Sequence, residues 1–173
     1  MKKIIIFTIF LLSIISILNI KSDVYAIPKE AIRLRVLANS NSKYDQDIKK
    51  TVSDQIQIKM YNLLKDTKGA EEARKIINRN MPEIESEVKR TLDESNYKVG
   101  YKVNYGLNYF PEKEFKGTSY KEGYYESLLI TLGSGKGDNW WCVLFPPLCL
   151  VEAEESDEVE YKFFIQELFD KYF

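Results

Sequence analysis

The first regular pattern in the chain is an alternation of apolar and polar positions. From residue 31 to 38 every second side chain is apolar, and Arg33 and Arg35 stand between them. This period of two predicts a strand with one buried face. The arginines could form a recognition patch, but we favour the simpler interpretation that they are solvated on the outward face. The polar run 39–42 then predicts a turn.

Helical spacing follows the turn. Apolar residues recur every three or four positions over about 45–65, namely at Ile48, Val52, Ile56, Met60 and Leu63. This predicts an amphipathic helix, capped by Asp45 or a polar neighbour. After a break at 65–69 the spacing continues to about Arg79. Because proline fits the first turn of a helix but not its interior, Pro82 predicts a third, short helix that begins there.

Alternation returns in the second half of the chain. Tyrosines and valines alternate with polar residues over 97–105, which predicts a strand with an aromatic face. We favour packing of these tyrosines under the helices over a binding platform. An interruption at 107–115 and a turn at 117–123 precede a strand that starts near Tyr124. A glycine loop at 133–137 leads into an extended apolar run, 140–151, which Pro146 and Pro147 break.

This order of elements predicts an α+β fold: a small, mainly antiparallel sheet with two to three helices packed on one face and a C-terminal amphipathic helix. The first strand is expected to join the sheet, with a pairing that the pattern does not specify. We expect a single α+β domain over residues 27–152. A tail over 153–173 is acidic at first and then amphipathic, with Val159, Phe163, Leu168 and Tyr172 on its apolar face. We favour docking of this tail on its own domain.

The N-terminus has the three parts of a secretory signal peptide. Lys2 and Lys3 precede an uncharged apolar run, 4–18, and Val24-Tyr25-Ala26 suits signal peptidase. We therefore expect residues 1–26 to be a signal peptide removed after Ala26. The alternative is a retained membrane anchor, although about 15 apolar residues fall short of the ~20 that a spanning helix needs. Both interpretations place the remaining chain outside the cytoplasm and make the export machinery a partner.

Composition narrows the function classes. Without residues 1–26 the chain carries 22 basic and 25 acidic side chains, a net charge of −3. This balance argues against nucleic-acid binding. The chain has no histidine, which excludes Ser-His-Asp and Cys-His nucleophiles and His-ligated zinc. We expect neither a metal nor a cofactor.

Two motifs with possible chemistry are weak. The glycine loop Gly133-Ser134-Gly135-Lys136-Gly137 lacks the spacing of a phosphate-binding loop, so we expect a mobile loop and no nucleotide. A pair of carboxylates could hydrolyse a glycan, and the candidates near loops are Glu112, Glu114, Glu122, Glu126 and Asp138. We favour solvated charges for these residues and predict no catalytic group.

The cysteine segment is the most unusual part of the chain. Cys142 and Cys149 enclose Val-Leu-Phe-Pro-Pro-Leu. A disulfide across a six-residue loop, which would present Phe145, Pro146 and Pro147, is expected outside the cytoplasm; two reduced buried cysteines are the alternative. Because neighbouring strand residues face opposite sides, Trp140 and Trp141 cannot share one face, and one of them is a candidate for exposure.

Four segments together resemble a known family. They are Asn139–Cys149, Ile32–Ser40, Asn108-Tyr109-Phe110-Pro111 and Gly123–Leu128. Their residues resemble the signature of the stage II sporulation protein R family over about residues 28–152. Ser127, where a small alanine would be expected, and the tail after Glu152 depart from the pattern.

The resemblance implies an exported signalling protein of endospore-forming bacteria. Such a protein is made in the forespore and secreted into the space between the two membranes. There it activates a membrane-embedded aspartic protease of the mother cell, which processes the precursor of the early mother-cell sigma factor. We expect the contact surface around Tyr109, Phe110, Pro111, Trp140, Trp141, Phe145, Pro146 and Pro147. The alternatives are a cell-wall hydrolase with paired carboxylates and a non-catalytic envelope-binding module.

Overall fold

The computed structural model describes residues 30–115 and 118–146, of which 113–115 and 118–120 are described in their backbone only. The elements are β1 Ile32–Leu37, α1 Lys43–Leu64, α2 Ala70–Glu94, β2 Tyr101–Phe110, β3 Lys113–Phe115, β4 Thr118–Tyr120, β5 Gly123–Leu132 and β6 Asn139–Phe145. Strands β3 and β4 form a separate antiparallel pair. The α+β class is confirmed, while the expected C-terminal helix and tail lie outside the described residues.

The main sheet has the strand order β2-β5-β1-β6. Strand β1 lies in its interior, parallel to β5 and antiparallel to β6, and β2 pairs with β5 in antiparallel register. Two of the three pairings are therefore antiparallel, as expected. Strand β1 thus joins the β2-β5 pair to β6.

Both helices cover the same face of this sheet. Leu34 and Val36 of β1 pack in one fully buried cluster with Ile130 of β5 and with Ile56 and Ile84 of the helices. Tyr101 and Tyr105 of β2 lie partly buried against this cluster, which confirms that the tyrosines pack under the helices. The opposite face of the sheet carries no helix within the described residues.

Helix α2 corrects the prediction of a break at Pro82. The proline lies inside a continuous helix on its exposed side. It removes one hydrogen bond, to the carbonyl of Asn78, and such a site costs about 3 kcal/mol. Ile77 before the proline and Ile84 and Val88 after it are all buried and lie on the same face of the helix. Packing of that face holds the helix together across the proline, so there are two helices in the described chain and not three.

Strand β2 also departs from the prediction. It begins at Tyr101 and not at Tyr97, and it continues through the expected interruption to Phe110, which pairs with Gly123. Tyr97 is buried beyond the end of α2, where its hydroxyl donates to Asp45 at 2.7 Å. The alternating pattern placed Tyr97 in the strand, whereas its hydroxyl is bonded to Asp45 outside β2. The expected turn over 117–123 contains the short strand β4.

The glycine loop is held in place by the turn after β1, against the expectation of a mobile loop. The backbone N–H groups of Ser134 and Asp138 donate to the side chains of Asn39 and Asn41, at 2.9 and 2.6 Å. The Gly137 N–H donates to the Ala38 carbonyl at 2.9 Å. The two loops therefore form one hydrogen-bonded unit at this end of the sheet.

Substitution of Gly137 by alanine is expected to break this unit. A Cβ at Gly137 would overlap the backbone of Ser40 and lie 2.9 Å from the Cβ of Ala38. Since the overlap is with backbone, we expect a loss of about 2 kcal/mol in the free energy of unfolding. Urea denaturation measures it. Gly100→Ala is the matched control, because a Cβ there meets nothing within 4 Å, and an equal loss in both variants would contradict the prediction.

Candidate partner-binding surface

An arginine–aromatic cluster occupies the face of the sheet opposite the helices. Alternation along β1 directs Arg33 and Arg35 to this face, and Trp141 of β6 lies beside Arg35 in register. Tyr125 of β5 and Phe110 at the end of β2 complete the cluster through contacts with the arginines. The name arginine–aromatic cluster refers to these five residues throughout.

Arg33 is held against two aromatic rings. Its guanidinium carbon lies 3.4 Å from the centroid of the Tyr125 ring and 5.6 Å from that of Phe110. The two rings meet edge to face at 5.9 Å. Only 4% of Arg33 is exposed, so the expectation of a solvated arginine was wrong. A planar, weakly hydrated guanidinium can be buried by stacking in this way, because the ring faces are electron-rich.

Arg35 is oriented by one hydrogen bond and one ring. Its Nη1 donates to the Tyr109 carbonyl at 2.8 Å, and its guanidinium carbon lies 5.1 Å from the Phe110 centroid. Its Nε is buried without a hydrogen-bond partner. Burial lowers the pKa of Arg35 from its ordinary value, although the group stays charged at any physiological pH. Arg35 is therefore a fixed cation that retains unused donor capacity.

A small cavity of about 20 Å³ opens on this cluster. It is lined by Arg33, Arg35, Lys121, Phe110, Pro111, Asn139 and Trp141. The lining contains three cations and no acidic side chain. A cavity of this size holds about one water-sized group. It suits the tip of a single side chain and not a metabolite.

The cavity brings together three of the residues predicted for partner contact. Phe110, Pro111 and Trp141 all line it. Trp140 packs partly buried against the core under the helices, so the two tryptophans do face opposite sides. The side chain of Tyr109 also points away from the cluster. It packs against Tyr124 at 5.7 Å and donates to Glu122 at 2.6 Å.

The expected presentation of Phe145 and Pro146 at the surface is not what the structure shows. Phe145 is 0% exposed and belongs to the core cluster, and Pro146 is buried as well. Strand β6 extends to Phe145 and carries it into the interior. Pro147 and Cys149 lie outside the described residues. Cys142, on β6, is 9% exposed.

Sequence reasoning missed Tyr125 and Lys121, which lie on the far side of the cluster from Trp141. Tyr125 lies in the segment Gly123–Leu128, whose resemblance to the family did not mark it as a contact residue, and Lys121 lies in no motif. The signal that could have found them is the arginine pair on β1, because arginines that become buried on a strand need aromatic or acidic partners.

Two of the candidate carboxylates, Glu126 and Asp138, lie too far apart to act as a catalytic pair. Both Glu126 oxygens accept from Arg74 Nε, at 2.9 and 3.0 Å, and Oε1 also accepts from the Tyr105 hydroxyl at 2.6 Å. The pKa of Tyr105 is raised, mainly because the hydroxyl is buried and secondly because it donates to Glu126. Asp138 lies beyond the other end of β5, and six strand residues from Glu126 to Leu132 already span about 20 Å. Paired glycosidase carboxylates lie within about 10 Å of each other.

Other kinds of site receive no support from the described residues. No group of potential metal ligands occurs in the ranges that the structure covers. Within those same ranges, neither helix has a stretch long and apolar enough to cross a membrane. The arginine–aromatic cluster is thus the site that the geometry singles out.

Comparison with known proteins agrees with the resemblance seen in the sequence. The model of the family described as stage II sporulation protein R matches residues 28–155. A protein named stage II sporulation protein R, from Bacillus subtilis (strain 168), is 40% identical over 134 residues. The match covers 78% of this chain and 60% of that protein, so the chain spans less than two thirds of the length of its relative. No solved structure matches. The chain belongs to the stage II sporulation protein R family.

Proposed function

We propose that this protein is an exported, non-catalytic signal of sporulation that activates a membrane-embedded aspartic protease of the mother cell. A role in sporulation follows from the family. The finer steps are part of the proposal: secretion from the forespore, binding to the outer face of the protease, and processing of the early mother-cell sigma factor precursor. The signal peptide predicted over residues 1–26 supplies the export step.

The arginine–aromatic cluster is the observation that carries this proposal. Arginine and large aromatic side chains dominate the binding energy of protein interfaces, and they do so from fixed, partly desolvated positions. Arg33 and Arg35 are fixed by ring contacts and by the Tyr109 carbonyl, while Trp141 lines the cavity between them. The rigid arrangement favours a surface that binds a protein.

Activation through this surface requires differential binding. A ligand shifts the equilibrium of its receptor only as far as it prefers one conformation over the other. The proposed signal would therefore bind the active arrangement of the protease more tightly than the inactive one. No chemical step by this chain is needed.

A disulfide between Cys142 and Cys149 belongs to the same proposal. Among the described residues no cysteine is free, and export would place both residues in an oxidising space. A bridge would fix the chain that follows β6 beside Trp141. Thiol labelling of the exported protein before and after reduction tests it, and labelling of both cysteines without reductant would contradict it.

Co-expression of the exported protein, the protease and the precursor tests the proposed function. We expect precursor cleavage only when the exported protein is present and carries its signal peptide. Cleavage that is equally fast without it would contradict the proposal. Release of soluble fragments from purified peptidoglycan, abolished by Glu126→Gln, would instead support the cell-wall hydrolase. The pairing of Glu126 with Arg74 argues against that outcome.

A further inference from the structure

Two of the cations that line the cavity on the arginine–aromatic cluster have no acidic partner among the described residues. Arg35 and Lys121 both line it, and neither takes part in an ion pair within the described part of the chain. By contrast, two of the three arginines of the helices, Arg74 and Arg90, form such pairs, as do five of their lysines. A desolvated cation with an unused Nε donor is stabilised by a carboxylate that reaches it.

The chain contains one segment of matching charge. Between Glu152 and Glu160 there are six acidic side chains and no basic one. No other nine residues of the chain carry so one-sided a charge. The segment follows β6, the strand that bears Trp141, so it is joined to the same edge of the sheet as the cavity.

The connecting chain is long enough for the two to meet. Trp141 lies four residues before Phe145, about 13 Å along the strand. Glu152 lies six positions after Pro146, and an extended chain of six residue steps spans up to ~20 Å. The segment can thus turn back along β6 and reach the cavity. Because the link is covalent, the local concentration of its carboxylates there is on the order of millimolar.

We propose that the acidic segment 152–160 of this chain docks on the arginine–aromatic cluster and places one carboxylate in the cavity, between Arg35 and Lys121. A single carboxylate matches the size of the cavity, and the remaining acidic side chains lie along its cationic rim. The segment covers Trp141 in the free protein. A partner that binds this face must displace it, which makes the tail a competitor for the surface.

Zero-length crosslinking of the purified exported chain tests this docking. A carbodiimide joins a lysine amine to a carboxylate only when the two are in contact. We expect the monomer to yield a crosslink between Lys121 and a residue of 152–160, at least fivefold more abundant than any crosslink from that segment to Lys75 on α2. The Lys43–Asp47 pair, at 2.6 Å on α1, is the internal standard for reagent efficiency.

Two variants make the test specific. Arg35→Gln should lower the Lys121 crosslink at least fivefold relative to the Lys43–Asp47 standard. Arg90→Gln removes an arginine from the exposed side of α2 and should leave the Lys121 crosslink unchanged. Circular dichroism melting shows whether each variant is folded. In 1 M salt, where the screening length falls to about 3 Å, the wild-type crosslink should also weaken.

Three outcomes would overturn the inference. The segment could crosslink equally to exposed lysines all over the domain, which the wild-type chain alone would reveal. It could join Lys121 only between isotopically distinct copies, which would mean a second molecule occupies the cavity. A folded Arg35→Gln variant could retain the full crosslink. None of these results bears on precursor cleavage, so the docking can fail while the proposed function stands.

Discussion

Replacement of Phe145 by alanine is expected to lower the free energy of unfolding by about 3–5 kcal/mol. The ring is fully buried in the core beneath the helices, and truncation of such a ring loses its transfer free energy and leaves a cavity. Urea denaturation of the exported domain measures the loss. Leu107→Ala is the control, since Leu107 is 72% exposed and should change stability by less than about 0.5 kcal/mol. Comparable effects of the two substitutions would contradict the packing.

This expectation changes how variants of the cysteine segment are interpreted. Loss of signalling by a Phe145→Ala protein would not locate the partner's surface, because lost stability alone accounts for it. Trp141, next to Cys142, is the aromatic residue of this part of the chain that lines the cavity. Binding experiments therefore need Trp141 variants, with stability measured in parallel.

Replacement of Asp45 by alanine is expected to lower the free energy of unfolding by about 2–4 kcal/mol. This carboxylate is 7% exposed and accepts hydrogen bonds from Ser40 at 2.5 Å, Tyr97 at 2.7 Å and Asn39 at 3.1 Å. Each bond to a charged acceptor is worth roughly 1.5–3 kcal/mol, and the alanine would leave buried donors unpaired. Thermal and urea denaturation measure the loss. Asp47→Ala, two residues along on the exposed side of α1, is the control and should have little effect.

The same carboxylate predicts a pH dependence. The hydrogen bond from Ser40, followed by that from Tyr97, lowers the pKa of Asp45 below its ordinary value. Its contribution is therefore fully present above the pKa of an unfolded aspartate, about 3.9, and is lost as the pH falls through the lower, folded-state pKa. The stability difference between wild type and Asp45→Asn should shrink steadily below pH 4. A difference that stays constant down to pH 2 would contradict this assignment.

Tyr97 sets the opposite limit of the pH range. Burial, followed by the bond to Asp45, raises the pKa of Tyr97. Its contribution is present below the ordinary tyrosine pKa of about 10 and is lost as the pH rises toward the folded-state pKa. The hydrogen bond from Tyr97 to Asp45 thus joins a neutral tyrosine to an ionised aspartate across the neutral pH range.

The sequence was a good guide where the pattern is local. Alternation located β1 and β5, and helical spacing located α1, because burial of one face imposes these periods. It failed at Pro82 and Tyr97, where the deciding contact lies elsewhere in the chain. Packing of Ile77 and Ile84 outweighs the proline, and Asp45 holds Tyr97 outside β2. The interior place of β1 could not be predicted either, since strand pairing depends on residues about a hundred positions apart.

The candidate site was predicted only in part, because some of its contacts join residues that are far apart in the sequence. Alternation separates Trp140 from Trp141 without knowledge of the partners, and the structure places only Trp141 at the cavity. The stacking of Arg33 on Tyr125 joins β1 to β5, a contact that no local pattern reveals. Phe145 was misjudged because two following prolines suggested a loop, whereas the strand continues to Phe145 itself.

The central proposal is that the face of the sheet opposite α1 and α2, through Trp141, activates a membrane protease. Its most direct test is the rate of precursor cleavage in cells that co-express the protease, the precursor and the Trp141→Ala protein. Tyr124→Ala, at a tyrosine that is 71% exposed away from the cluster, is the control. Loss of an aromatic anchor costs about 2 kcal/mol or more of binding, so the account predicts a cleavage rate at least ~10-fold lower for Trp141→Ala and unchanged for Tyr124→Ala. Full cleavage by an exported, folded Trp141→Ala protein would contradict it.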